Sequence, residues 1–122
     1  MRTTRARWRR GEKRTLRDAV LFTYDDHQAG TALQDGTGQP NRIRCVRDAH
    51  WKYAVYLDPT GHAAPEYELY DLHSDPDEVR NLLDKVTGRV RLAQHEQERR
   101  RLAIRLAELC ERSGTLTPAL PA

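Results

Sequence analysis

The sequence predicts an α+β domain, a small antiparallel sheet of about four strands packed with a C-terminal amphipathic helix. Three observations carry that expectation. Short apolar segments recur at hairpin-like spacing from Ala19 to Leu72, separated by glycine- and proline-bearing turns. Apolar residues then switch to helical spacing between Arg89 and Arg112. Finally, 122 residues with 38% hydrophobic content suit one domain with a modest core.

Taken in order, Met1 to Arg17 comes first. It holds eight Lys or Arg against Glu12, a net +7, so the rest of this +3 chain carries −4. Such a segment has too little apolar mass to fold, and residues 1–18 are expected to form a basic, disordered arm. Its charge and Trp8 would suit phosphate backbones, but no nucleic-acid motif accompanies them. Arginine outnumbers lysine 18 to 3 over the whole chain, so the arm partly reflects a compositional habit. Nucleic acid is therefore the least favoured partner.

Ala19 to Asp26 (AVLFTYDD) reads as the first strand. Asp35-Gly36-Thr37-Gly38-Gln39-Pro40-Asn41 is a loop whose glycine spacing matches no phosphate-binding motif. Ile43 to Pro59 reads as a hairpin with His50 at its tip. Arg44, Arg47 and Lys52 are expected to form salt pairs with Asp48, Asp58 or Glu68, or alternatively to attract an anion. Thr60 to Pro65 is a second loop, and His62 lies in it.

The run Glu68 to Leu82 (ELYDLHSDPDEVRNL) carries the most information. Tyr67, Leu69 and Asp71 point to one side of a strand, with Glu68, Tyr70 and Leu72 to the other, which predicts cover on both faces. Asp75 can accept hydrogen bonds from the amides after it and Pro76 presets the backbone, so a helix or turn starts there. Beyond it, Val90, Leu92, Leu102, Ala103, Leu106, Leu109 and Cys110 lie at helical spacing. The charged stretch Gln94 to Arg101 is expected to be a solvated face held by Glu96–Arg100 and Glu98–Arg101 or Glu98–Arg105 pairs, so that only the second half of the helix docks firmly. Ser113-Gly114 should end the helix, and residues 113–122 form a proline-containing tail.

Leu-Tyr-Asp-Leu, two residues, Asp-Pro, one residue, Glu, two residues, Asn-Leu resembles the closing element of the C-terminal subdomain of sulfatases, the formylglycine-dependent sulfuric ester hydrolases. The hairpin Ile43 to Pro59 and the strand from Ala19 are similar to the same subdomain, so the resemblance covers about Asp18 to Arg112, with residues 19–112 as its domain. It implies a structural part that packs on a catalytic domain, in the same or a separate chain, and helps shape the substrate pocket. It also implies that the complete enzyme uses formylglycine and a divalent cation, Ca or Mg. The family's Cys/Ser-x-Pro-x-Arg motif is missing. Cys45 and Cys110 are not followed by proline two residues on, and Ser74-Asp75-Pro76-Asp77-Glu78 has Glu78 where arginine is required. No catalytic residue, metal ligand or cofactor is therefore expected within this chain, and it should be inactive alone.

Asp25-Asp26-His27 remains open between a polar strand end, a hard-cation site and a loop facing the pocket. In the last role Asp26 and His27 are the candidate lining residues. His50, His62, His73 and His95 show no common spacing and no Ser or Cys partner. Cys45 and Cys110 fit apolar packing positions, with a single bridge between them left open. No run approaches the roughly 18 apolar residues of a membrane span, and no signal-peptide core is seen, so the expectation is a cytoplasmic protein without a membrane partner. An independent alternative is an interaction module that forms a homo-oligomer, or binds another partner, through an exposed sheet surface.

Overall fold

A computed structural model of the chain describes residues 19–25 and 42–121. Among the described residues four strands, β1 (Val20–Asp25), β2 (Arg42–Arg47), β3 (Trp51–Leu57) and β4 (Glu66–Asp71), precede one α-helix, α1 (Glu96–Ser113). The sheet is antiparallel in the order β1-β2-β3-β4, so each strand pairs with its neighbour in sequence. The α+β fold expected from the sequence is the one observed. The basic arm, the glycine loop 35–41 and the candidate residues Asp26 and His27 lie outside the described residues.

Side chains alternate across the sheet, and register assigns them to two faces. The inner face carries Leu21, Val46, Tyr53 and Leu69 in one row, with Thr23, Arg44, Val55 and Tyr67 in the next. Leu102, Ala103, Leu106 and Cys110 of α1 close over this face, joined by Leu83, to make the core. Their spacing is that of a single helical stripe. Gly114 ends α1 in the left-handed conformation at φ 73°, and its amide donates to the Cys110 and Glu111 carbonyls.

α1 begins later than the apolar spacing suggests. Val90 forms an isolated antiparallel bridge with Leu83, and a 3-10 turn at Ala93–His95 leads into the helix. The loop between the bridge partners is tied by Asp84, which accepts from the Val86 and Thr87 amides at 2.9 Å each. Val90 thus serves the core as an extended residue packed against it, and its coincidence with helical spacing is accidental.

The charged stretch Gln94 to Arg101 also departs from a fully solvated face. The Glu96–Arg100 and Glu98–Arg101 pairs form, at 3.2 and 2.8 Å, while Arg105 turns to Glu108 at 3.2 Å. Arg99, however, is only 2% exposed. Its guanidinium donates to both Glu96 oxygens at 2.8 Å and to the Pro121 carbonyl at 3.3 Å, so its charge is neutralised inside the fold. Arg44, 1% exposed, is held in the same way by Asp25 at 2.8 Å and the Leu116 carbonyl at 3.0 Å. Two buried arginines therefore pin the tail to the body. Pro118 in that tail is buried as well.

The sequence Asp75-Pro76-Asp77-Glu78 makes a turn, and no helix follows it. The Asp75 carboxylate accepts from the Val79 and Arg80 amides at 2.9 to 3.1 Å, and Glu78 takes a left-handed conformation at φ 58°. That conformation breaks a helix, and the ion pair from Lys52 Nζ to Glu78 at 2.7 Å holds the turn against the sheet. Beyond it, Asn81 plugs the edge of β4. Its side-chain oxygen accepts from the Leu69 and Leu83 amides at 3.0 and 3.1 Å, and its amide donates to the Tyr67 carbonyl at 3.0 Å. Together with the Leu82 amide donating to the Leu69 carbonyl and the Tyr67 amide to the Lys85 carbonyl, it closes an edge that would otherwise be open to other chains.

Candidate functional site

Two features of this frame have the makings of a site. The first lies at the end of the sheet where the β2–β3 turn meets the end of β4. Asp48 shapes the turn by accepting from the His50 and Trp51 amides at 2.9 and 2.7 Å. Burial pushes the Asp48 carboxyl up, but these amides and Arg101 outweigh it and hold the carboxyl below its usual value. His50 stacks on Trp51 with ring centroids 4.6 Å apart, and its Nε2 lies 3.0 Å from Asp71. His73 meets His50 edge-on at 5.0 Å, and His95 meets Trp51 at 6.1 Å. Three histidines with unrelated sequence positions thus gather around one tryptophan. A groove of about 470 Å³ runs beside them, lined in part by Asp71, Ser74, Asp75, Arg80 and His95.

The chemistry available in that groove is limited. Asp71 already accepts from the His73 and Ser74 amides at 3.0 and 3.3 Å, and Asp75 is engaged by its own turn. Among the described residues no three His, Cys, Asp or Glu side chains are placed to hold a metal ion, so these residues do not fit the divalent cation of the sulfatases. The remaining described histidine, His62, has its Nδ1 2.8 Å from Thr60 Oγ1, which itself donates to Asp58 at 2.6 Å. Because the threonine proton is committed to the carboxylate, His62 donates to Thr60. The trio closes an exposed loop, with no proton withdrawn from the hydroxyl.

The second feature is the outer face of the sheet. Register places Val20, Phe22 and Tyr24 of β1 on it, beside Cys45, Ala54, Tyr56, Glu68 and Tyr70. Val20, Phe22 and Tyr24 are 48%, 56% and 54% exposed. Cys45 and Ala54 form a buried floor between the aromatic side chains. Tyr56 donates to Glu68 at 3.2 Å, and burial followed by the Glu68 charge drives its hydroxyl pKa upward. Tyr70 is raised to about 12 for the same two reasons. Both phenols are therefore neutral donors near neutral pH, and the face combines these aromatic groups with the charged residues Arg47, Lys52, Glu66 and Glu68 that share its rows. Burial likewise lifts the Cys45 thiol to about 11, which leaves it a weak nucleophile. Cys45 and Cys110 are both free thiols.

Of the basic residues singled out in the sequence, Arg44 and Lys52 form salt pairs, as does Asp48. Their partners are Asp25, Glu78 and Arg101, whereas the sequence had suggested cross-strand pairing among Arg44, Arg47, Lys52, Asp48, Asp58 and Glu68. Sequence spacing could not reveal these partners, because all three lie outside the hairpin. The exposed outer row could have been found from the alternation of Val20, Phe22 and Tyr24 with Leu21 and Thr23, since both faces of β1 carry apolar residues.

No known family model matches the chain, and no curated protein matches it in sequence. The sulfatase resemblance rests on the residues of the Glu68 to Leu82 run and the hairpin before it.

Proposed function

We propose that this chain is the C-terminal structural and pocket-shaping part of a sulfatase, a sulfuric ester hydrolase, docked through its outer sheet face onto a catalytic domain in the same or a separate chain. The observation that carries the reading is that face, where an apolar and aromatic row, Val20, Phe22 and Tyr24, is about half exposed. Surfaces of this character mark protein contacts. The arrangement of the signature residues adds support. Asp75, Glu78 and Asn81 each hold backbone or side chains that finish the sheet, which is the work of a subdomain-closing element. The catalytic domain supplies the formylglycine and the divalent cation, Ca or Mg, and the chain supplies shape. The proposed setting is cytoplasmic; among the described residues no helix is long and apolar enough to cross a membrane.

The test begins with the DNA upstream of the Met1 codon, where a frame encoding Cys/Ser-x-Pro-x-Arg with Asp and Asn metal ligands is expected. Co-expression of that catalytic part with this chain should hydrolyse an aryl sulfate, while the chain alone should not. Phe22→Lys should lower the activity of the pair about tenfold or more by placing a charge in the docking face. Turnover by the purified chain alone, or activity of the pair indifferent to Phe22→Lys, would sink the reading. Self-association abolished by the same substitution would favour the homo-oligomeric module instead.

A further inference from the structure

The side of α1 turned away from the sheet presents a surface unrelated to the outer face and independent of the function proposed above. Ile104 is 57% exposed there, the one large apolar side chain among the exposed positions of the helix. Shallow grooves lie on both sides of it. One, of about 340 Å³, is lined almost wholly by apolar groups from Ala103, Ala107, Leu120 and Pro121. The other, of about 270 Å³, is bounded by Ala19, Arg101, Arg105 and Glu108. A knob between two holes on a helix with alanines beside it is the geometry of close helix pairing.

Charge selects the occupant. Along this stripe the basic residue Arg100 precedes Ile104 by four positions, and Glu108 follows it by four. Their side chains are 66% and 54% exposed, and among the described residues each is paired only with an ion of its own helix, at 3.2 Å. An antiparallel copy of the same helix, related by a two-fold axis at Ile104, brings Arg100 opposite Glu108 of the second copy and repeats the pair on the other side of the axis. Gln97 then faces Glu111 without like-charge conflict. A parallel arrangement would set arginine against arginine. We infer that α1 is a self-pairing surface, through which a second copy of this chain docks antiparallel with the two Ile104 side chains at the centre and reciprocal Arg100–Glu108 pairs at the rim. Such a contact uses the same patch twice, which closes at two copies. One helix face is a small area, and the association belongs to the weak class that buries less than about 1,200 Å².

Sedimentation equilibrium of the full chain over a wide concentration range reads this directly. The expected result is a monomer–dimer equilibrium whose dissociation constant rises about tenfold or more with Ile104→Glu, at unchanged circular dichroism. Arg100→Glu alone should weaken it by about threefold, and the double swap Arg100→Glu with Glu108→Arg should return it to near the starting value, since only the antiparallel register restores both pairs. A chain that stays monomeric up to its solubility limit overturns the proposal. So does a dimer indifferent to Ile104→Glu, or one abolished by Phe22→Lys alone, which would belong to the sheet face. A double swap no better than the single change overturns the register.

Discussion

Asn81 shows how much one side chain can settle. Its three hydrogen bonds serve the Leu69 amide, the Leu83 amide and the Tyr67 carbonyl, all at the margin of β4. Truncation removes every one of them and leaves partly buried backbone groups without partners. Asn81→Ala should therefore lower stability by about 2–3 kcal/mol in chemical denaturation, with hydrogen exchange at Leu69 accelerated most. Stability within about 0.5 kcal/mol of the parent would mean that water replaces the side chain there. At this scale the sequence was partly legible. The Asp-Pro turn and the salt-pairing of Arg44 and Lys52 followed from residue chemistry. The burial of Arg99 did not, because a charged residue in a charged run reads as surface until its partners are known. Glu96 is visible three positions earlier, but the Pro121 carbonyl is not.

At the level of elements, the strands were readable because each alternates or closes at a strong turn signal. The start of α1 was not, since Val90 and Leu92 happen to fall on the helical repeat while the backbone there belongs to a bridge. The gathering of His50, His73 and His95 also escaped the sequence. It depends on the hairpin tip and the end of β4 sharing one end of the sheet, which follows from strand order, and on the 3-10 turn bringing His95 to Trp51. The entry to α1 has a measurable signature in acid. The hydrogen bond from Arg99 first, with its charge and Arg100 behind it, holds the Glu96 carboxyl down to about 2 from an ordinary 4.5. A depressed folded pKa means that the unfolded chain takes up this proton first as pH falls. The stabilisation is thus fully present above about 4.5 and is lost as pH drops toward 2. Thermal scans between these limits should show a steep fall in Tm that Glu96→Gln makes shallower. An unchanged slope would show that other carboxylates control acid unfolding.

For the molecule as a whole, the tail is as much part of the body as any strand. Arg44 reaches the Leu116 carbonyl and Arg99 the Pro121 carbonyl, while Pro121 lies against Gly88, where an added Cβ would stand 2.8 Å from its ring. Removing residues 115–122 strips an acceptor from each of two buried guanidinium groups and uncovers this contact. The truncated chain should lose about 3 kcal/mol or more, equivalent to roughly 10 °C or more in Tm for a domain of this size. A Tm within 2–3 °C of the parent would show the tail to be dispensable.

The same anchoring bears on how the chain folds as it is made. Neighbouring strands pair along the sequence, so the sheet can assemble in the order of synthesis, from β1 toward β4. Arg44 finds Asp25 early, but its carbonyl acceptor at Leu116 arrives 72 positions later. Until then the guanidinium, bonded to Asp25 and the adjacent Ile43 carbonyl, must leave its Nε to water, which holds that part of the sheet open. The nascent domain therefore completes its interior late, when α1 and the segment after it have been translated, and a ribosome stalled before Leu116 would present a sheet that protease can still reach.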